Sequence, residues 1–311
     1  MSIPKLMLLC GLPASGKSEY AKKLSLTYNA KIHSSDELRQ ELLGNISNQS
    51  QNELIFNELN KRIKSDLKQG KSVIADSCNI NYKKRMEFLK QLKDVTCEKL
   101  CYLMATPYEE CLEYNKNRER QVLEYVIERM YKNIYIPQYY EGWDYIEIII
   151  NSKKKHKSRE LFFGINGLHD IYQENPHHTL TIGSHCMRTR ENIFDIVNIY
   201  NNNNMNDPIT GYCIHEAALF HDIGKKFCKE FNKEKGYCTY YQHHLVGAYD
   251  SIFYNSHYRT HEILEICNLI QWHMQLFQLK SEKSIQKFID LVGKRTYNDL
   301  CLLHEADKLA K

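Results

Sequence analysis

The chain has 311 residues, long enough for two domains that each bury a core. Its 42 Lys+Arg against 38 Asp+Glu leave a net charge of +4, which excludes a basic coat and confines any nucleic acid to a local groove. Its 11 cysteines are odd in number, dispersed and free of Cys-x-x-Cys, which speaks against a disulfide frame or zinc ribbon and for buried thiols in the cytoplasm. No apolar run is long enough to cross a bilayer or serve as a signal peptide, so neither secretion nor a membrane partner is expected.

In chain order, an apolar strand ending at Leu8-Leu9-Cys10 breaks into Gly11-Leu12-Pro13-Ala14-Ser15-Gly16-Lys17-Ser18, and residues 17–26 then favour helix. The spacing Gly-x-x-x-x-Gly-Lys-Ser is that of a P-loop. Gly11 and Gly16 let the backbone around Ser15 form a nest of N–H donors for phosphates, Lys17 bridges the outer phosphates, and the Ser18 hydroxyl reaches Mg2+. ATP with Mg2+ is the expected ligand. A short strand over 30–33 leads to Ser34-Ser35-Asp36-Glu37-Leu38-Arg39, a helix start that sets Asp36 at the carboxyl end of a strand. Open α/β sheets bind their ligands at that edge. A helix over 56–67, a buried strand over 72–77 containing Asp76, and strands over 99–105 and 145–150 complete the alternation. It predicts a parallel, doubly wound α/β sheet within residues 1–150.

A kinase acting on a hydroxyl needs a carboxylate to accept its proton, and Asp36 is the candidate, unless it only caps the helix. Arg39 suits a phosphate of the acceptor or a surface ion pair. Asp76 suits water on Mg2+, a tether for an arginine, or a cap of the next helix. Asn115-Lys116-Asn117-Arg118-Glu119-Arg120 leads into an amphipathic helix carrying Val122, Val126, Ile127 and Met130. Its arginines fit a lid that closes over the charge developing on the γ-phosphate, against the plainer reading of a solvated helix with Glu/Arg pairs.

With GLPASGKS, SSDELRQELLG, SVIADSCNINYKKRMEF, the Asn/Arg-rich lid and Pro137 with Glu141-Gly142-Trp143-Asp144, residues 1–150 resemble the 5′-polynucleotide kinase module of bacterial and phage nucleic-acid end-healing enzymes. The resemblance implies that Asp36 is the general base, Arg39 an acceptor-phosphate ligand, Asp76 an active-site support, and Arg118 or Arg120 the lid arginine.

Residues 151–160 are polar and basic and are expected to link the two domains. The asparagine run at 201–204 is expected to be a loop between helices. From His169 onward lie 12 of the 14 histidines, in a region of mostly helical apolar spacing, residues 161–311. His185, His221, Asp222, His243, His273 and Asp307 lie in or beside apolar segments. Imidazoles and carboxylates converging from several helices would hold a divalent metal, with Mn2+, Fe2+, Ni2+, Co2+, Zn2+ and Mg2+ all suitable.

The order His, His-Asp, His, His, Asp, with Phe220-His221-Asp222-Ile223-Gly224-Lys225, resembles the HD-domain phosphohydrolases. More narrowly, it is similar to the HD domain of bacterial CCA-adding tRNA nucleotidyltransferases. That resemblance implies an all-α HD domain with one metal on His185, His221, Asp222 and Asp307. It gives His243 and His273 to a second metal or the scissile phosphate, and sets Lys225 facing the phosphate. Together the two halves imply an enzyme that heals RNA ends: an ATP-dependent 5′-hydroxyl kinase joined to a 2′,3′-cyclic phosphodiesterase or phosphatase. The implied partners are RNA ends, tRNA included, and a separate RNA ligase. The competing expectations are a nucleotide or small-metabolite kinase joined to an HD nucleotidase, and a nucleotide sensor without turnover.

Overall fold

The computed structural model describes residues 3–153, 167–203 and 211–311; most of the basic stretch 151–160, and Asn204, lie outside the described residues. The chain divides into two compact units. One comprises Met1–Met130 and Pro137–Ser152, the other Tyr131–Ile136 and Lys153–Lys311.

In the first unit, five strands pair in parallel: β1 (Lys5–Cys10), β2 (Lys31–Ser34), β3 (Val73–Asp76), β4 (Glu98–Ala105) and β5 (Tyr145–Ile150), in the order β2-β3-β1-β4-β5. Side chains alternate across a strand, and every residue of β1 from Leu6 to Cys10 is buried, so both faces of the sheet are covered. This is why the strands are continuous apolar runs. On one face Met7, Leu9, Ile74, Leu100 and Tyr102 pack with Ala21 and Leu24 of the helix Lys17–Tyr28. That helix passes the expected end at 26 and stops where Asn29 turns left-handed, φ 47°. The helix Asn52–Lys68 starts four residues before the expected 56. The helix expected for the lid is Glu124–Tyr131, which leaves Val122 outside it. The Asn115 amide clamps Val122 instead, accepting from its N–H (2.9 Å) and donating to its carbonyl (2.8 Å).

The second unit is built from the helices Ile182–Asn203, Tyr212–Phe220, Lys225–Cys228, His243–Tyr254, Thr260–Trp272, Glu282–Val292 and Lys294–Leu309. The all-α expectation needs correction, because Glu230–Asn232 and Tyr237–Thr239 form an antiparallel hairpin. Asn201, Asn202 and Asn203 are also not a loop but the last turn of their helix. Tyr131–Ile136, expected with the kinase-like half, groups with this unit. Tyr131 Oη donates to Asp250 (2.6 Å) and Ile136 N to the Gln271 side chain (3.1 Å). Gly224 and Gly247 let two helices nearly touch: a Cβ on Gly224 would lie 2.6 Å from Gly247 N and would collide with the His243 carbonyl.

Behind the sheet edge of the first unit lies a fully buried, bidentate ion pair. Arg85 Nε and one Nη donate to the two Glu141 oxygens at 2.7 and 2.6 Å, its other Nη donates to the Asn79 carbonyl at 2.8 Å, and Trp143 Nε1 donates to Glu141 at 3.0 Å. Asn79 in turn holds the Leu9 carbonyl (2.8 Å), so the pair braces the strand that feeds the phosphate loop. Removing one member of a buried pair leaves an uncompensated charge. Glu141→Ala is therefore expected to destabilise this unit by about 3–5 kcal/mol in urea denaturation followed by circular dichroism.

Candidate functional site

The loop after β1 turns through Gly11 (φ 150°), Ala14 (φ 61°) and Gly16 (φ 91°). At Gly11 a Cβ would meet the Met104 carbonyl at 2.7 Å, so close packing on the neighbouring strand as well as conformation requires glycine there. Thr106 and Asn151 both donate to the Ser15 carbonyl, at 3.1 and 3.2 Å, and fix the loop from its far side. Lys17 Nζ is drawn into the loop, donating to the Gly11 (3.1 Å) and Leu12 (2.5 Å) carbonyls. Strand register sets Ser34 beside Asp76, with β3 next to β1, so the carboxyl ends of β2 and β3 flank the loop.

The capping role open to two carboxylates is removed by geometry. Ser34 caps the helix Ser35–Leu43, accepting from Asp36 N (3.2 Å) and Glu37 N (3.4 Å), which leaves the Asp36 side chain free of capping. Asn81 caps the helix Tyr82–Gln91, so Asp76 does not. Burial pushes the Asp76 carboxyl above the usual range, with the Ser18 hydroxyl and the nearby Lys17 charge opposing.

Asp36 is flanked by two arginines: Arg39 donates to one oxygen at 3.0 Å and Arg120 to the other at 2.5 Å. Arg120 also reaches Ser47, whereas Arg118 is exposed and acts on Asp76 only as a nearby charge. Arg39 is buried, bonded to the Ser35 carbonyl (3.2 Å) and the Asn52 amide oxygen (2.8 Å), while its Nε has no partner among the described residues. Burial lowers its pKa, with Asp36 opposing. Asn52 was not legible as a site residue because it enters from a different helix.

The second unit brings His185, His221, Asp222, His243, His273 and Asp307 together, all buried. They fall into two groups whose candidate donor atoms lie within 4.8 Å of one another: His185, His221 and Asp307, then Asp222, His243 and His273. Asp222 also belongs to the first, since its Oδ2 lies 3.3 Å from His185 Nε2 and 3.4 Å from His221 Nε2, while its Oδ1 lies 3.1 Å from His243 Nε2 and 3.7 Å from His273 Nε2. Each imidazole directs Nδ1 to a backbone carbonyl, those of Ala310 (3.2 Å), Ala218 (2.8 Å), Tyr240 (2.7 Å) and Ile270 (2.7 Å). That fixes the tautomer and turns every Nε2 inward. Two pairs of Nε2 atoms approach at 3.3 and 3.2 Å, contacts that a shared cation or proton relieves. The donor set would suit a divalent metal at each group, with Asp222 within reach of both.

Lys225 Nζ sits on Asp222 Oδ2 (2.5 Å) and Gln173 Oε1 (2.8 Å) and is buried beside the cluster.

Residues 6–137 match a family described as an AAA domain. The L-seryl-tRNA(Sec) kinase of Methanococcus maripaludis is 26% identical over 246 residues, covering 74% of this chain and 92% of that protein. Among solved structures, a candidate kinase of Chloroflexus aurantiacus is 16% identical, with a TM-score of 0.42 over 48% of this chain and 86% of its own. The Pnkp1/Rnl/Hen1 RNA repair complex is 22% identical, with a TM-score of 0.38 over 42% of this chain and 43% of its own. The first unit thus carries a P-loop on a parallel five-stranded sheet and is similar in sequence to an AAA domain and to this tRNA kinase. No helix among the described residues is long and apolar enough to cross a membrane.

Burial opposes charging His221, but the Asp222 and Asp307 carboxylates outweigh it and push the imidazole up to about 10; the same pair raises His185. Near neutral pH the metal-free cluster holds protons that a metal must displace. Metal binding is expected to release protons and to tighten as pH rises. The metal-free protein should lose stability over the same change: the contribution of a raised histidine is complete below its ordinary 6.5 and lost toward about 10. Calorimetry in buffers of unequal ionisation enthalpy, and melting curves with and without EDTA, measure the two trends. By metal analysis, Asp222→Ala should lose both ions and Asp307→Ala one.

Proposed function

We propose that the chain heals both ends of a broken RNA, phosphorylating a 5′-hydroxyl with ATP and removing a 2′,3′-cyclic phosphate at a metal-dependent HD site. The observation that carries the reading is the pairing, in one chain, of a P-loop cleft whose carboxylate is free of capping with a buried four-histidine, two-carboxylate cluster.

In the kinase step the loop N–H groups and Lys17 hold the triphosphate, and Ser18 with Asp76 supports Mg2+, which neutralises phosphate charge when bound. Arg39, braced by Asn52, holds an acceptor phosphate beside Asp36. Arg120 must leave Asp36 before that carboxylate can act as a base, and the γ-phosphate is the natural destination of its guanidinium. Asp36 then takes the hydroxyl proton as the acceptor oxygen bonds to the γ-phosphorus and the bond to the β-phosphate oxygen breaks, releasing ADP.

At the HD site, metals on the two histidine groups would supply Lewis acidity and a water-derived nucleophile near neutral pH. The chain's part is to bury the four imidazoles, to turn each Nε2 inward through the Nδ1 bonds to backbone carbonyls, and to hold Asp222 with Lys225. One water opens the cyclic ester to a monoester and a second releases inorganic phosphate, leaving a 3′-hydroxyl.

A second acceptor is favoured by one comparison. The relative that aligns over most of its length is an L-seryl-tRNA(Sec) kinase, and a hydroxyl carried on a charged tRNA would meet the same Asp36.

The two activities should separate on an oligoribonucleotide with a 5′-hydroxyl and a 2′,3′-cyclic phosphate. Lys17→Ala should lower label transfer from ATP by about 100-fold or more and spare the 3′ end, and His221→Ala the reverse. Wild type that transfers no label to this RNA, yet labels seryl-tRNA, would move the kinase to the second acceptor. Loss of both activities from either change would contradict two independent sites.

A further inference from the structure

Two aromatic residues beside the HD cluster have no task within it. Phe277 lies in the short helical turn Gln275–Gln278, which begins two residues after His273, and is 45% exposed. His304 lies on the helix Lys294–Leu309 one turn before Asp307, so both project from the same face of that helix. Their rings meet edge to face, 4.3 Å between centroids and 72° between planes. His304 Nδ1 is buried and makes no hydrogen bond among the described residues. Lys308 and Lys311, both exposed, lie close enough to act on His304 through their charge.

An exposed phenylalanine backed by a half-buried imidazole gains little as packing, because much of the residue stays in water. The same arrangement suits a nucleobase: it stacks on an aromatic face, a ring nitrogen meets a base edge or ribose hydroxyl, and lysines meet the phosphate backbone. We propose that Phe277 and His304 seat the terminal nucleoside of the phosphate ester presented to the cluster, with Phe277 as the stacking face and His304 as the polar contact. The proposal rests on the HD reading for its phosphate chemistry. It adds that the site recognises a nucleoside, not a bare phosphodiester.

The test compares adenosine 2′,3′-cyclic phosphate with the base-free glycerol 1,2-cyclic phosphate, using full-length wild type, Phe277→Ala, Phe277→Trp and His304→Ala loaded with Mn2+. Bound metal serves as the check on folding. The expected result is that the kcat/KM preference for the nucleotide falls about tenfold or more in Phe277→Ala and is largely restored in Phe277→Trp. His304→Ala should lower the same preference. A preference unchanged in Phe277→Ala would overturn the proposal, whether both esters slow together or neither does. If wild type hydrolyses neither ester, the HD reading fails on its own. Equilibrium binding of adenosine 2′,3′-cyclic phosphate then decides the seat: a tenfold loss in Phe277→Ala upholds it, and equal affinity overturns it.

Discussion

Both oxygens of Asp222 are committed in a place where an unpaired carboxylate would be prohibitive. One meets His185, His221 and Lys225, the other His243 and His273, with almost none of the side chain exposed. A buried anion survives only when paired and hydrogen-bonded on every side, and here the pairing draws residues on or at the ends of five helices to one point. Gly224 and Gly247 allow the close approach, and four backbone carbonyls fix the imidazoles. The Asp222 and Asp307 carboxylates raise His185 and His221, and protons there oppose the buried negative charge. A divalent metal on these donors would replace those protons, which would tie its binding to pH.

The first unit handles its charges in another way. Arg85 and Glu141 form a closed, buried pair that braces the strand ahead of the phosphate loop and faces no substrate. Asp36 is held by pairs that can open: its side chain is part-exposed, and Arg120 approaches from the lid segment. The buried pair is structural and the part-exposed one is poised for exchange, a distinction that follows from solvent access.

Much of this was legible in the residues themselves. The P-loop spacing and the carboxylates at the ends of β2 and β3 were readable because each depends on local pattern, and the set of histidines and aspartates that converges was readable through the order of motifs in the family it resembles. Long-range partnership was not. Arg85 and Glu141 stand 56 residues apart and sat in recognisable motifs without a role. The division of the histidines into two groups sharing Asp222 depends on helix packing, as does the contribution of Asn52. The hairpin was missed because each strand has only three residues, too short for an alternating pattern to show. Val122 was drawn into the lid helix by its apolar spacing, since nothing local reveals the Asn115 clamp. Arg118 and Arg120 were equivalent in sequence, and the geometry places Arg120 on Asp36.

The central claim is that one chain makes both ends of a broken RNA joinable. It is tested most directly by incubating an RNA bearing a 5′-hydroxyl and a 2′,3′-cyclic phosphate with the protein, ATP and a divalent metal. The protein is then removed and an RNA ligase that needs a 5′-phosphate and a 3′-hydroxyl is added. The account predicts a sealed product from wild type alone. A junction that seals only when a separate kinase or a separate phosphatase is supplied would contradict it.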